Sequence, residues 1–288
     1  MVSLKGLDCL TLQEFIPDDI TSILGLAREL KKSLKGGEPV RPLLAGKSLG
    51  MIFQKPSTRT RVSFEVGMRQ LGGGALNLRP DELQLGRGET IADTARVLSR
   101  YVNGIMARVF AHSDVEQLAE FATVPVINGL SDLHHPCQVL ADLLTISEKH
   151  QSLKDLKLAY LGDGNNVCNS LLLGCSMMGM EVVAATPSTH QPDPKVVRSA
   201  QANAAKYGGK VSLTSNPEEA AKAADVLYTD VWVSMGQEKE QAERMKIFPA
   251  FQINSKIVKL AKPEVMVMHC LPAHRGLEIT DEVIDGPN

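Results

Sequence analysis

The chain has 288 residues and carries 31 Lys and Arg against 33 Asp and Glu, a formal net charge of -2 at pH 7. This near balance argues against a nucleic-acid-binding or membrane-surface protein, so any anion site must be built locally. The length predicts about two domains.

The sequence also indicates a compartment. No apolar run reaches the roughly 18 residues of a membrane span, and residues 1–8 lack the charged-then-apolar layout of a secretory signal. The five cysteines are widely spaced without a CxxC pair, which suits free thiols in a reducing compartment. We therefore expect a cytoplasmic protein, and a mature organellar form stays open.

Apolar spacing predicts alternating helices and strands in the first half of the chain. Helices are expected at 11–34, 91–102 and 114–122, and another begins at Pro136. A further helix is expected between the strand 49–53 and the glycines 72–74, which end it. Strands are expected at 49–53, 105–110 and 124–127. The composition turns polar at 148–155, which predicts domains of 1–149 and 150–288.

The alternation restarts in the second half. Strands are expected at 156–161, 181–185, 210–213, 226–229 and 265–269, and helices at 166–178, 195–206 and 217–223. This rhythm is typical of two doubly wound α/β domains, each a mostly parallel sheet with helices on both faces. Ligands bind such sheets at the carboxyl ends of strands, where the unusual motifs of this chain lie.

The most informative motif is Lys55-Pro56-Ser57-Thr58-Arg59-Thr60-Arg61, between the strand 49–53 and the following helix. A helix start offers unpaired N–H groups and a positive dipole end, to which this stretch adds hydroxyls and guanidinium groups. The motif predicts an anion site, and phosphate is the anion that it fits best. An ordinary N-cap with two solvated arginines is the alternative.

Two further polar features lie in the first half. Arg108 interrupts an apolar strand and needs a partner, because an unpaired buried charge is costly. His135 and Gln138 open a helix with the spacing His-Pro-Cys-Gln. A bound phosphate or carbonyl would engage them, while an internal salt bridge for Arg108 and a capping role for His135 are the alternatives.

In the second half, Gly162-Asp163-Gly164-Asn165-Asn166 follows a strand and begins a helix. A dinucleotide site is disfavoured, because Val167 stands where the fingerprint needs its third glycine. Asp230 leaves another strand into a loop of small residues, an arrangement suited to an ammonium group. As alternatives, Asp230 could cap a helix and Met235 could belong to the core.

Two groups resemble soft metal sites: the pair His269 and Cys270, and the cluster His134, His135 and Cys137. Neither has four ligands at zinc spacing, so we expect no metal.

The stretch Ser57-Thr58-Arg59-Thr60-Arg61 resembles the carbamoyl phosphate signature of the aspartate and ornithine carbamoyltransferases. The loop Ser234-Met235-Gly236 and the motif His269-Cys270-Leu271-Pro272 resemble the ornithine-type members of that family. The resemblance covers nearly the whole chain, with the motifs in the family's order.

The resemblance also implies roles for individual residues. The carbamoyl phosphate residues would be Ser57, Thr58, Arg59, Thr60, Gln84, Arg108, His135 and Gln138. The ornithine residues would be Asn166, Asp230, Ser234, Met235, Cys270 and Leu271. The catalytic residues would be Thr60, Arg108, His135 and Cys270. Because Gln84 would reach a neighbouring subunit's site, the resemblance implies a homo-oligomer, a trimer or a multiple of trimers.

The implied activity is transfer of a carbamoyl group from carbamoyl phosphate to the δ-amine of L-ornithine, giving L-citrulline and phosphate. This is a step of arginine biosynthesis or of the urea cycle, and the resemblance implies no cofactor. Family members usually continue beyond the Gly286-Pro287 pair into a last helix, which these 288 residues do not include.

Three rival functions are weighed. They are a carbamoyltransferase for putrescine, acetylornithine or aspartate, a catalytically silent relative that binds carbamoyl phosphate, and a nicotinamide-dependent oxidoreductase. The Ser-Met-Gly loop disfavours the first, the intact motifs of both domains disfavour the second, and the incomplete fingerprint disfavours the third.

Overall fold

The computed structural model describes residues 4–37, 41–79, 81, 83–85, 88–234 and 238–288. The chain divides into two compact units, Met1–Leu140 and Ala141–Asn288. The division falls inside the helix Pro136–Lys149, and the domain boundary at 149/150 stays a prediction. Among the described residues, no helix is both long and apolar enough to cross a bilayer.

The first unit is built on a four-stranded sheet of order β2-β1-β3-β4, whose neighbouring strands all pair in parallel. Its strands are β1 (Ser48–Phe53), β2 (Gly74–Leu78), β3 (Gly104–Arg108) and β4 (Val126–Leu130). The helices along this part of the chain are α1 (Pro17–Lys35), α2 (Thr58–Gln70), α3 (Ile91–Leu98), α4 (His112–Phe121) and α5 (Pro136–Lys149).

Alternation along β1 explains why helices cover both faces of this sheet, because successive strand side chains point to opposite sides. Leu49, Met51 and Phe53 form one buried cluster, against which Phe64 and Met68 of α2 pack. Between them, Ile52 belongs to a second cluster with core residues of α3 and α4. The carboxyl end of β1 is thereby fixed next to the start of α2.

The second unit has a five-stranded parallel sheet of order β7-β6-β5-β8-β9. Its strands are β5 (Lys157–Leu161), β6 (Glu181–Ala185), β7 (Lys210–Thr214), β8 (Val226–Thr229) and β9 (Met266–His269). Its helices are α6 (Asn166–Met177), α7 (Pro194–Tyr207), α8 (Pro217–Ala221), α9 (Gln241–Ile247), α10 (Ser255–Val258) and α11 (Asp281–Ile284).

Helices flank this second sheet as well. One group packs as a cluster in which Ala159 and Leu161 of β5 contact residues of α8, α10 and α11. The helices α6 and α7 pack against each other and against β6 and β7. The predicted fold class, two α/β domains each with a parallel sheet flanked by helices, is confirmed.

Each sheet has one point where the strand order reverses, between β1 and β3 in the first unit and between β5 and β8 in the second. At such a switch point the connections leave in opposite directions and open a crevice at the carboxyl ends of the strands. Ser57 follows β1 and Arg108 ends β3, while Asn165 follows β5 and Asp230 follows β8. The topology alone therefore marks both crevices as candidate sites.

Candidate functional site

In the first unit, the hydroxyl of Ser57 caps α2. Its backbone is extended, with φ -160° and ψ 113°, and its Oγ accepts a hydrogen bond from the Thr60 N–H at 3.3 Å. The same hydroxyl lies 3.1 Å from Thr60 Oγ1. The predicted helix start is thus present, with two half-buried hydroxyl groups facing each other at its first turn.

Arg108 brings a cation from the neighbouring strand to this helix start. Its side chain is buried, and its Nη1 donates to Thr60 Oγ1 at 3.4 Å. A register shift between Ala107 and Arg108 lets Arg108 lie opposite Leu130 of β4. The structure therefore joins Arg108 to the Ser57–Thr60 helix start across the switch point, although Arg108 and Thr60 are 48 residues apart in the chain.

The two arginines of the motif differ in their surroundings. Arg61 donates from Nε to Glu65 Oε1 at 2.8 Å on the exposed side of α2. Arg59 is also exposed, but it forms no ion pair within the described parts of the chain. Both guanidinium groups are charged, but only that of Arg59 is not paired with a carboxylate of the described residues, so it is the better candidate to bind a phosphate.

His135 lies immediately before α5 and is half-buried. Burial lowers its pKa to about 3, and the positive charge of Arg108 contributes to this shift. The ring is therefore neutral at physiological pH, so one nitrogen donates and the other accepts.

A local network fixes the loop that precedes His135. The Ser131 N–H donates to the His134 carbonyl at 2.9 Å, and the His134 N–H donates to Ser131 Oγ at 3.1 Å. His112 Nδ1 lies 2.9 Å from the same hydroxyl, while its backbone N–H donates to Asp132 Oδ1 at 2.8 Å. Sequence reasoning missed Ser131 and His112, because the contact between them joins two elements that are 19 residues apart in the chain.

The remaining predicted residues of the first unit are less constrained. Thr58 and Gln84 are exposed and Gln138 is half-buried. The Gln84 carbonyl accepts from the Glu89 N–H at 3.2 Å. The role of Gln84 toward a neighbouring subunit stays a prediction.

In the second unit, the buried carboxylate of Asp230 is the centre of the site. Its Oδ1 accepts from the Val231 N–H at 2.8 Å and from the Cys270 thiol at 2.9 Å. Its Oδ2 accepts from Asn165 Nδ2 at 2.7 Å. The structure thus joins two of the predicted ornithine residues, Asp230 and Cys270, by a direct hydrogen bond.

Other predicted residues of this unit lie on the same elements. Asn166 is the first residue of α6 and is half-buried, as is Ser234 in the loop after Asp230. Met235 lies outside the described residues. Leu271 has φ +59°, a left-handed conformation rare for a branched side chain, and is exposed.

The thiol of Cys270 is neutral. Burial raises its pKa well above the usual value, and the negative charge of Asp230 adds to the shift. Cys270 therefore acts here as a hydrogen-bond donor to a carboxylate, and it is a poor candidate for a thiolate nucleophile.

Donor atoms of Asp230, His269 and Cys270 lie within 4.8 Å of one another. Hydrogen bonds account for the orientation of this group. His269 Nδ1 accepts from the Leu271 N–H at 2.8 Å, so its Nε2 carries the proton and donates to Glu278 Oε1 at 3.1 Å. With both ring nitrogens bound, His269 supports the Cys270-Leu271 turn, and we continue to predict no metal.

A buried ion pair joins two loops of this site. Arg244 on α9 donates from Nη1 to Asp163 Oδ2 at 2.8 Å and to the Trp232 carbonyl at 2.9 Å. Burial raises the pKa of Asp163, and the charge of Arg244 partly offsets that shift. Sequence analysis did not identify this pair, because its members are 81 residues apart.

Gly164 has a packing role. A Cβ at this position would lie 2.3 Å from the backbone of Gln191 and Pro192. The Gly164 N–H donates to the His190 carbonyl at 2.9 Å. Close approach of another segment therefore explains the glycine, so the Gly-x-Gly pattern needs no dinucleotide.

Two sequence models match the chain, one in each half. Residues 7–148 match the carbamoyl-P binding domain of aspartate/ornithine carbamoyltransferase. Residues 154–288 match the Asp/Orn binding domain of the same family.

Curated relatives and solved structures agree with these matches. The ornithine carbamoyltransferase of Pyrococcus horikoshii is 61% identical over 288 residues, covering 100% of this chain and 90% of the relative. The solved ornithine carbamoyltransferase of Pyrococcus furiosus has a TM-score of 0.96 at 60% identity, with 100% of this chain and 91% of that chain covered. The Giardia lamblia ornithine transcarbamoylase has a TM-score of 0.88 at 33% identity, with coverages of 98% and 90%.

Proposed function

The chain belongs to the aspartate/ornithine carbamoyltransferase family, and we propose that it transfers the carbamoyl group of carbamoyl phosphate to the δ-amine of L-ornithine. The products are L-citrulline and phosphate. The observation that carries this proposal is that one unit has a donor-rich crevice and the other has a carboxylate-centred crevice.

The first unit supplies the groups that hold carbamoyl phosphate. The helix start at Ser57, Thr58 and Thr60, together with Arg59, binds the phosphate oxygens through N–H groups, hydroxyls and a guanidinium. Gln138 lies one turn into α5 and contributes an amide to the same ligand.

The carbamoyl oxygen becomes negative when an amine attacks its carbon. Arg108, Thr60 and the neutral His135 donate to that oxygen and stabilise the tetrahedral intermediate. Arg108 and Thr60 are already hydrogen-bonded to each other, so little reorganisation is needed when the charge develops. Phosphate then leaves toward Arg59, and the route needs no covalent enzyme intermediate.

The second unit holds ornithine. Asp230 binds the charged α-ammonium group, and Asn166, Ser234 and Met235 bind the same α-amino acid end. Cys270 and Leu271 lie beside the reacting δ-amine.

The nucleophile must be a neutral amine, yet a lysine-like ammonium has a pKa near ~10.4. Being neutral at pH ~8 costs roughly 3 kcal/mol. The neutral Cys270 thiol next to Asp230 gives the δ-amine a hydrogen-bonding neighbour that carries no charge.

Assembly and compartment are part of the same proposal. Gln84 on an exposed loop supports a trimer or a multiple of trimers, in which it reaches the neighbouring subunit's carbamoyl phosphate. The reduced cysteines support a cytoplasmic enzyme.

The direct test is a substrate panel. The purified chain is incubated with carbamoyl phosphate and, in parallel, ornithine, putrescine, acetylornithine or aspartate, while ureido product and phosphate are measured. We expect product with ornithine only. Product with another amine would overturn the assignment of the second unit, and bound carbamoyl phosphate without product would point to a catalytically silent relative.

A further inference from the structure

We infer that Asn165 is a positioning residue, which fixes the direction of the Asp230 carboxylate and leaves its charge available to the substrate's ammonium. The inference rests on the proposed function, because it assigns Asp230 to ornithine. The family resemblance pointed to the next residue, Asn166, whereas the structure places the Asn165 side chain against Asp230.

The orientation of the Asn165 amide follows from its neighbours. One end of the amide accepts from the backbone N–H groups of Val167 at 3.0 Å and Cys168 at 3.1 Å. A backbone N–H can only donate, so this end must be the oxygen. The nitrogen therefore points the opposite way, and it donates to Asp230 Oδ2 at 2.7 Å.

This second bond distinguishes Asn165 from an ordinary helix cap. Asn216 caps α8 with the same geometry, accepting from the N–H groups of Glu218 and Glu219. Of the asparagine caps Asn165, Asn216 and Asn254 in the described residues, only Asn165 also bonds a proposed ornithine residue. Tyr160 OH, which lies 3.3 Å from Asn165 Oδ1, further restrains the amide.

The bond leaves Asp230 with little remaining acceptor capacity. An ionised carboxylate has about four acceptor positions. Val231, Cys270 and Asn165 occupy three of them in the described structure. Because Oδ1 holds two of those donors, the open position is on Oδ2, beside Asn165. An ammonium group can therefore approach from one restricted direction.

The partners of Asp230 are also all neutral, unlike those of the second buried carboxylate in this unit. Asp163 is paired with the Arg244 guanidinium at 2.8 Å. Asp230 is buried as well, but its described partners are the Val231 N–H, the Cys270 thiol and the Asn165 amide, and none of them is a cation. A buried carboxylate without a counter-ion is costly. A cationic substrate relieves that cost, and an amide orients the carboxylate without neutralising it.

Two substitutions separate positioning from capping. Asp and Ser cap helices about as well as Asn, but neither Asn165→Ser nor Asn165→Asp retains an N–H donor for Asp230. We expect Asn165→Ser to raise the KM for ornithine at least about tenfold while the KM for carbamoyl phosphate stays within about twofold. Asn165→Asp should raise the KM for ornithine further, because the new carboxylate and that of Asp230 would be adjacent and would repel each other.

The matched control is the same pair of substitutions at Asn216. Asn216→Ser and Asn216→Asp change only a cap, so both KM values and the melting temperature should stay close to those of the wild type. An ornithine KM for Asn165→Ser within twofold of the wild-type value would overturn the inference and leave Asn165 as a cap.

A double-mutant cycle tests whether Asn165 acts through Asp230. If it does, adding Asn165→Ser to Asp230→Asn should change the ornithine KM by less than about twofold, because the shared interaction is already lost. If instead the fold-increases in the ornithine KM of the two single variants multiply in the double variant, the residues act independently and the inference is contradicted.

A crystal structure of Asn165→Ser provides a test that needs no activity. We expect the Asp230 carboxylate to rotate away from its wild-type direction while α6 keeps its first turn, and an unmoved carboxylate would overturn the inference. Failure of the proposed function is recognised separately, as a wild-type chain that forms no citrulline.

Discussion

The two switch points share one topology but have opposite chemistry. In the first unit, the reversal between β1 and β3 gathers donors, namely the hydroxyls of Ser57 and Thr60 and the Arg108 guanidinium. In the second unit, the reversal between β5 and β8 gathers an acceptor, the Asp230 carboxylate, held by the Asn165 amide. Sheet topology thus determines where a crevice opens, and the residues after each strand determine which charge it accepts.

The helix starts show how the difference arises. At α2, the cap Ser57 bonds one N–H group, that of Thr60, and the exposed Arg59 adds positive charge. At α6, the Asn165 oxygen takes two N–H groups of the first turn. The N–H groups at the start of α6 are therefore largely hydrogen-bonded to the cap residue itself, so this helix start is not available as an anion site.

The largest expected effect concerns the charge pairing of the second unit. Arg244→Met leaves the buried Asp163 without its cation, which should lower the free energy of unfolding by about 3–5 kcal/mol. Because burial already raises the pKa of Asp163, losing Arg244 raises it further. The folded state then binds more protons than the unfolded state as the pH rises, so the loss should be greater at pH 8 than at pH 5.5. Urea unfolding of the wild type and of Arg244→Met at both pH values measures this loss in the free energy of unfolding.

The control for that variant is Arg275→Met. Arg275 is bonded to Asp281 and Asp285 on the exposed surface, where ion pairs contribute little. Equal destabilisation by Arg244→Met and Arg275→Met would refute a special role for the buried pair.

Next in size is the loss of positive charge from the first unit. Arg59→Ala should lower kcat/KM by roughly 10²–10³-fold, the range seen when one preorganised donor to developing charge is removed. Arg61→Ala, two residues along the same helix, should change it little, because Arg61 is bonded to Glu65. Initial rates at varied carbamoyl phosphate measure both variants, and near-normal turnover by Arg59→Ala would count against a phosphate site.

The counterpart in the second unit is Asp230→Asn, which keeps the shape of the side chain and removes its charge. A hydrogen bond to a charged group is worth about 1.5–3 kcal/mol, so the KM for ornithine should rise roughly 10–100-fold. The KM for carbamoyl phosphate should not change. Parallel losses for both substrates would show that Asp230 does not serve ornithine in particular.

The smallest expected effect is on the protonation of His135, which should stay the same when the pH is changed. With its pKa lowered to about 3, the folded protein should keep this ring neutral throughout pH 5–9. The unfolded chain binds a proton below about pH 6.5, so this residue contributes a loss of stability as the pH falls from there toward 3. The NMR signal of His135 can be assigned as the histidine signal that is missing in the variant His135→Asn. Following that signal through a pH series tests the prediction, and a His135 signal that titrates near pH 6.5 would contradict it.

Strong periodicity made most of the fold predictable. The strands 181–185 and 226–229 have the predicted bounds, because they are apolar runs between polar turns. The strand β2 was missed, since Gly74-Ala75-Leu76-Asn77-Leu78 is a half-exposed edge strand that starts with glycine. The short helices α9, α10 and α11 were missed as well, because four to seven residues show too little periodicity.

The parts of the candidate sites that are formed by residues adjacent in the sequence could be predicted. Ser57 to Thr60 could be identified as one helix start, and Asp230 as a carboxylate that leaves a strand. Asn165 was not singled out, because its role depends on a bond to a residue 65 positions away. Pairings between strand ends depend on strand order, which local patterns do not specify.

The division of labour between the two units is tested most directly by calorimetric titration of carbamoyl phosphate into three proteins: wild type, Arg59→Ala and Asp230→Asn. We expect the Kd to rise by about two orders of magnitude in Arg59→Ala and to stay within about twofold of the wild-type value in Asp230→Asn. Comparable losses in both variants, or no loss in Arg59→Ala, would contradict the assignment of the anion to the first crevice and of the ammonium to the second.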